Sequence, residues 1–159
     1  MSISELDRAM MRLALEEADL ARAEGEIPVG AVVCQDDRVV SRGHNLREAT
    51  GDPTAHAEIV ALRRAAKALG RWRLTDLTLY VTLEPCPMCA GAVVQGRVGR
   101  VVFGAHDPQA GCCGSVYRLT EDPAFNHFAR AEGGVLEQEC AQRLSDFLAS
   151  ERLRRSPAF

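Results

Sequence analysis

The chain has 159 residues, of which 47% are hydrophobic and 26% charged, and a formal net charge of −3. That length and balance point to one domain, spanning residues 1–159, with a core of its own. No apolar run approaches the length of a membrane span, and the charge excludes a generally basic nucleic-acid binder, so any polyanion must meet a local basic patch.

The start, Met1-Ser2-Ile3-Ser4-Glu5, lacks the basic-then-apolar order of a secretory signal, which makes the cytoplasm the expected compartment. There the cysteines, Cys34, Cys86, Cys89, Cys112, Cys113 and Cys140, point to a metal site and buried thiols rather than to a disulfide framework. Ser4 to Ala23 reads as an amphipathic helix, with Leu6, Met10, Leu13 and Leu20 at helical spacing and Ser4 with Asp7 as a capping box. Gly25 ends it. Pro28 to Cys34 and Val39 to Gly43 read as strands joined by the turn Gln35-Asp36-Asp37-Arg38. Asn45 to Thr54 reads as a polar loop, with Asp52-Pro53 as N-cap and first-turn proline of a helix that runs to Leu69 and closes at Gly70. Leu77 to Thr82 is a strand, Cys86 to Gln95 a short helix that tolerates Pro87 in its first turn, and Arg100 to Gly104 a further strand. His106 to Ser115 is a loop long enough to suggest function. Val135-Leu136 reads as a short last strand and Cys140 to Arg155 as a final helix with a basic end. Alternating helices and strands predict a layered α/β domain.

Two segments carry the chemistry: Thr54-Ala55-His56-Ala57-Glu58 and Pro85-Cys86-Pro87-Met88-Cys89. One His and two Cys can hold zinc and leave its fourth position open, the mark of a catalytic rather than a structural site. Both segments sit where the chain enters a helix, with His56 in the first turn of its own, and the dipole there favours thiolates at Cys86 and Cys89. Glu58 is placed to move protons rather than to bind metal, and a water on such a zinc ionises near neutrality. Two plainer readings compete. Cys-x-x-Cys alone can be a redox pair, and a structural zinc could draw a fourth ligand from His44, His106, Cys112 or Cys113; the second leaves Glu58 without a task.

The pattern extends beyond these residues. Glu26-Ile27-Pro28-Val29-Gly30-Ala31, Asn45, Pro53 to Glu58, Thr82 to Ala92, Val102-Phe103-Gly104-Ala105, Asp107, Asn126-His127 and Leu144-Ser145-Asp146-Phe147 occur in the order found in the cytidine deaminase-like zinc deaminases, and the chain most resembles the bacterial tRNA-specific adenosine deaminases among them. The resemblance covers nearly the whole chain. It implies a three-layer α/β/α sandwich around a mixed five-stranded sheet, a homodimer with one Zn2+ per subunit, and conversion of the wobble adenosine of an arginine tRNA anticodon to inosine. His56, Cys86 and Cys89 are then the metal ligands and Glu58 the catalytic proton carrier for hydroxide attack at C6 of a base drawn out of its stack.

The resemblance further implies that Asn45 bonds the base or its sugar, that Val29 and Ala31 pack on the base, and that Asp107 and Phe147 meet the RNA. Each has a plainer role: Asn45 and Asp107 as turn residues, the others as core. Arg63, Arg64, Lys67, Arg71 and Arg73, and Arg152, Arg154 and Arg155, are candidate phosphate contacts, although surface arginines are commonly just solvated. The chain departs from the family at Leu46, where a basic residue can stand, at Cys112-Cys113, where small residues are usual, and at Glu151, which interrupts the basic tail. The expected partner is a tRNA anticodon stem-loop, with neither DNA nor membrane. Two rivals remain at this point: a deaminase of a free base such as guanine or cytosine, and a zinc-stabilised RNA-binding module without catalysis.

Overall fold

Ser4 starts the first helix through reciprocal bonds with Asp7. In the computed structural model, which describes residues 3–155, Asp7 N–H donates to Ser4 Oγ (3.1 Å) and Ser4 N–H to Asp7 Oδ2 (3.0 Å), closing a capping box at the head of α1 (Glu5–Ala23). The outer ends of the domain expected over 1–159, with Met1 and Ser2 of the segment read for a signal, lie outside the described residues. Among those residues the order continues with β1 (Gly30–Gln35), β2 (Arg38–His44), α2 (Arg47–Thr50), α3 (Ala57–Leu69), β3 (Thr78–Leu83), α4 (Pro87–Gln95), β4 (Arg100–Ala105), β5 (Arg130–Glu132) and α5 (Glu137–Arg155).

The described strands form one mixed five-stranded sheet in the order β2-β1-β3-β4-β5. β1 pairs antiparallel with β2 and β3, while β4 runs parallel to β3 and β5. Side chains alternate across the sheet. From β1, Ala31 and Val33 join a core with Ala61, Leu62 and Ala65 of α3 and Val93 of α4, whereas Val32 and Cys34 face Met10, Met11 and Ala14 of α1 and Cys140 of α5. The result is an α/β/α sandwich, and a strand buried on both faces explains why β1 reads as an unbroken apolar run. Gly30 lets α1 lie close on β1, because a Cβ there would collide with the backbone of Ala14 and Ala18.

A buried ion pair ties the layers. Asp7, 2% exposed, accepts two bonds from Arg100 of β4 (2.8 and 3.0 Å) and one from Tyr80 Oη of β3 (2.8 Å). Burial alone would raise its pKa, but the bonds from Arg100, Ser4 and Tyr80 outweigh burial and hold the carboxyl well below the usual carboxylate range. Asp7→Asn leaves Arg100 facing only Glu132 (3.3 Å). It is expected to lower the unfolding free energy by about 3 kcal/mol, read as the urea midpoint at neutral pH. Because the folded pKa is depressed, the contribution of Asp7 is complete above the unfolded value of about 4 and fades as pH falls below it. The difference between wild type and Asp7→Asn should therefore narrow in acid. A constant difference would detach the stability from this carboxylate.

Three elements depart from the sequence reading. The helix expected to start at Asp52-Pro53 starts at Ala57, because the Asp52 carboxylate is taken up by Thr54 N (2.8 Å) and Oγ1 (2.7 Å) in a turn of its own. The expected Asn45–Thr54 loop contains the one-turn α2, whose head is capped from afar: Glu26 accepts Glu48 N–H (2.9 Å) and Ala49 N–H (2.8 Å). The last strand is Arg130–Glu132 rather than Val135-Leu136. Gly134, at φ 92°, turns the chain off the sheet edge, and Val135 drops into the core beside α5.

Candidate metal and catalytic site

His56 and Cys86 are the N-cap residues of α3 and α4, both with extended backbone. His56 thus stands one position before the helical turn expected for it. Pro87 at the first helical position needs no hydrogen-bond partner there, and Cys89 follows two residues on. The two helix heads face each other, so Cys86 Sγ and Cys89 Sγ each lie 3.5 Å from His56 Nδ1. Tetrahedral zinc with bonds of about 2.3 Å to sulfur and about 2.0 Å to nitrogen separates its S and N ligands by roughly 3.5 Å. The donor set and its spacing fit that ion. Among the described residues this trio is the group whose donor atoms come together for a metal. His44 is instead held by Glu17 (3.0 Å) and Glu24 (2.9 Å), and His106 bonds Glu137 (2.8 Å), so neither completes a closed structural site.

The cluster favours one thiolate from the outset. The bond from Cys89, with the contribution of His56, lowers the Cys86 thiol to about 4, while that bond and burial raise Cys89 above the thiol range. The bond to Cys86 raises His56. Glu58, 4% exposed, sits on the first turn of α3, and burial pushes its carboxyl up to about 7.

Glu58, His56 and Cys86 open onto a cavity of about 190 Å³ also lined by Ile27, Val29, Asn45, Arg47, Glu84, Asp107 and Ala110. A second, wider hollow of about 660 Å³ shares Ile27, Asn45 and Arg47 with the first and runs to Phe147, Arg154 and Arg155 on α5. The cavity at the His-Cys-Cys trio therefore adjoins a larger hollow lined by the cations Arg47, Arg154 and Arg155 and by the carboxylates Glu26, Glu48 and Glu151.

A family model described as MafB19-like deaminase matches residues 5–138. The chain is 49% identical over 152 residues to the tRNA-specific adenosine deaminase of Bacillus subtilis (strain 168), covering 96% of this chain and 94% of that one. It is 52% identical over 150 residues to the protein of the same name from Haemophilus influenzae, covering 94% and 87%. The chain belongs to the tRNA-specific adenosine deaminase family. A solved structure from a study of A-to-I editing by tRNA:A34 deaminases matches this deaminase with a TM-score of 0.82 and 43% identity, over 86% of this chain and 99% of that one. A guanine deaminase from Nitrosomonas europaea shares the fold with a TM-score of 0.79 at 23% identity, over 89% and 84% of the chains.

The deaminase brings most of the sequence-derived site residues to one place. His56, Cys86, Glu58, Asn45, Val29 and Asp107 line the cavity, and Cys89 lies buried behind it. Asn45 and Asp107 also fill the turn roles open to them: Asn45 Oδ1 accepts Arg47 N–H (3.3 Å), and Asp107 Oδ1 accepts Gln109 N–H (2.9 Å). Ala31 is placed elsewhere, fully buried in the core behind Val29. Phe147 lines the outer groove, with the Arg22 guanidinium 5.8 Å from its ring. Of the first basic cluster, Arg63 pairs with Asp52 (3.8 Å), Arg71 with Asp76 (2.9 Å), and Arg64 donates to the Arg42 carbonyl (2.9 Å). Arg154 and Arg155 lean on Glu151 (2.8 and 3.9 Å) at the groove.

Sequence reasoning missed Ile27, Arg47, Leu83, Glu84 and Ala110 as cavity residues. For Arg47 a signal existed: Arg47-Glu48-Ala49 are good helix formers followed by Gly51, which marks a short helix carrying a cation beside Asn45.

Proposed function

We propose that this deaminase is a zinc-dependent hydrolase that converts adenosine to inosine at the wobble position of a tRNA anticodon, with an arginine tRNA as substrate. The observation that carries the reading is the ligand trio with Glu58 beside it at the floor of a narrow cavity. At about 190 Å³ the cavity falls short of the ~300–1,000 Å³ that encloses a drug-sized molecule and suits one base drawn out of its stack. The two high-identity relatives bear the matching name.

In the proposed reaction water replaces the exocyclic amine: a C–O bond forms at C6, the C6–N bond breaks, and ammonia leaves. His56, Cys86 and Cys89 would hold zinc, which when bound would supply the Lewis acidity for water to ionise near neutral pH. Glu58 takes the water's proton, delivers it to the ring nitrogen beside C6, and carries a second to the departing amine. Asn45, fixed by its bond with Arg47, meets the base or its sugar at the boundary of cavity and groove. Val29 packs on the base, and Ala31 backs that wall from within the core. Arg47, Arg154 and Arg155 suit the phosphates of the flanking nucleotides, Phe147 offers an apolar surface in the same groove, and Asp107 can accept from a 2′-hydroxyl. The working enzyme is a cytoplasmic homodimer.

Ammonia release tests the substrate class. The zinc-loaded protein should release ammonia from an anticodon stem-loop carrying wobble adenosine and none from free adenine, guanine or cytosine. Release from a free base alone would make it a free-base deaminase; no release from any substrate would leave an RNA-binding module.

A further inference from the structure

Glu84 directly follows the β3 strand, two residues before Cys86, and is 1% exposed. The hydrogen bonds given to its carboxylate come from one loop. Oε1 accepts Asp107 N–H (3.1 Å) and Ser115 Oγ–H (2.5 Å); Oε2 accepts Cys113 N–H (3.0 Å) and Ser115 N–H (3.0 Å). Four donors use the roughly four acceptor positions of a carboxylate. The loop is also shaped to the group, since a Cβ on Gly111 would collide with the Glu84 carboxylate. Cys112 N–H adds a bond to the Pro85 carbonyl (2.8 Å), next to the metal-ligand segment. The same loop supplies Asp107 and Ala110 to the cavity wall.

We propose that Glu84 is a positioning residue: its buried carboxylate is the mould on which residues 107–115 fold, and it thereby sets where Asp107 and Ala110 meet the substrate. The inference rests on the deaminase reading for its kinetic consequence but not for its structural one. Glu84→Gln offers one acceptor oxygen and turns an amide N–H2 toward loop N–H groups, so the loop loses its hold while the ligand trio stays intact.

The test pairs amide hydrogen exchange with steady-state kinetics on the zinc-loaded protein. In Glu84→Gln, exchange at Cys113 and Ser115 should rise at least about tenfold, the scale of one lost charge-assisted hydrogen bond. KM for the wobble-adenosine stem-loop should rise by a similar factor, with zinc content unchanged and kcat within about threefold, because Glu58 and the ligands are untouched. A purely structural role would instead lower the active fraction, cutting kcat and leaving KM alone. Ser115→Ala, at an exposed loop position, loses a single donor and should show the same pattern at reduced size; it decides the matter if Glu84→Gln does not fold. Wild-type exchange and KM in the folded variants would overturn the proposal. Faster loop exchange in a protein whose wild type turns over no stem-loop would uphold the positioning of the loop and overturn the substrate reading instead.

Discussion

Glu58→Gln is expected to lower kcat on the stem-loop by about 10⁴-fold while zinc content and the melting temperature stay near wild type. General acid–base groups contribute roughly 10²–10⁴-fold each, and the upper end applies because Glu58 is asked for successive transfers within one turnover. The substitution keeps the size of the side chain. Glu58 lies at the second position of α3, 4% exposed, on the wall of the cavity that His56 and Cys86 also line. Single-turnover kinetics with metal analysis on the same sample separates the two effects. More than about a tenth of wild-type turnover in a zinc-loaded Glu58→Gln protein would remove Glu58 from the proton path.

The second large effect is metal loss. His56→Ala or Cys86→Ala removes one of the described protein donors and leaves two. Altering groups that merely orient a ligand costs 10–100-fold in affinity, so deleting a ligand should weaken zinc by well over about 100-fold. After dialysis such variants should carry almost no zinc, show no turnover and melt earlier than wild type, because binding energy at a folded site is folding energy. Cys34→Ala and Cys140→Ala serve as controls. Burial raises both thiols to about 12, and Cys34 of β1 and Cys140 of α5 belong to the core on the α1 side of the sheet, which includes none of the trio. They should keep full zinc at some cost in stability. Full zinc occupancy in His56→Ala would break the ligand assignment.

These outcomes bear on what the chain discloses by itself. Local chemistry was readable: the Ser4–Asp7 capping box, Gly70 in the left-handed conformation (φ 66°) that closes α3, and Pro87 at the head of α4. The clustering of His56, Cys86 and Cys89 was readable as well, since His-x-Glu and Pro-Cys-x-x-Cys each place their donors at a helix entrance. What escaped depends on distant parts of the chain. β5 is Arg-Ala-Glu on a sheet edge and carries no apolar alternation; only pairing with Arg100, Val101 and Val102 makes it a strand. The head of α2 is capped by Glu26, more than twenty residues earlier, and the Glu84 bonds span 23 to 31 residues. Val29 and Ala31 illustrate the same limit. Two-residue spacing puts both on one side of the chain, but the cavity ends where β1 begins, so Val29 lines it and Ala31 is core.

The most direct test of the central claim is the position of inosine in a full-length arginine tRNA after incubation with the zinc-loaded protein, read by nuclease digestion and mass. The account predicts inosine at the wobble position alone with the wild-type chain and none with Glu58→Gln. Intact adenosine at that position under zinc-loaded wild-type protein would contradict it, as would inosine formed equally by the Glu58 variant.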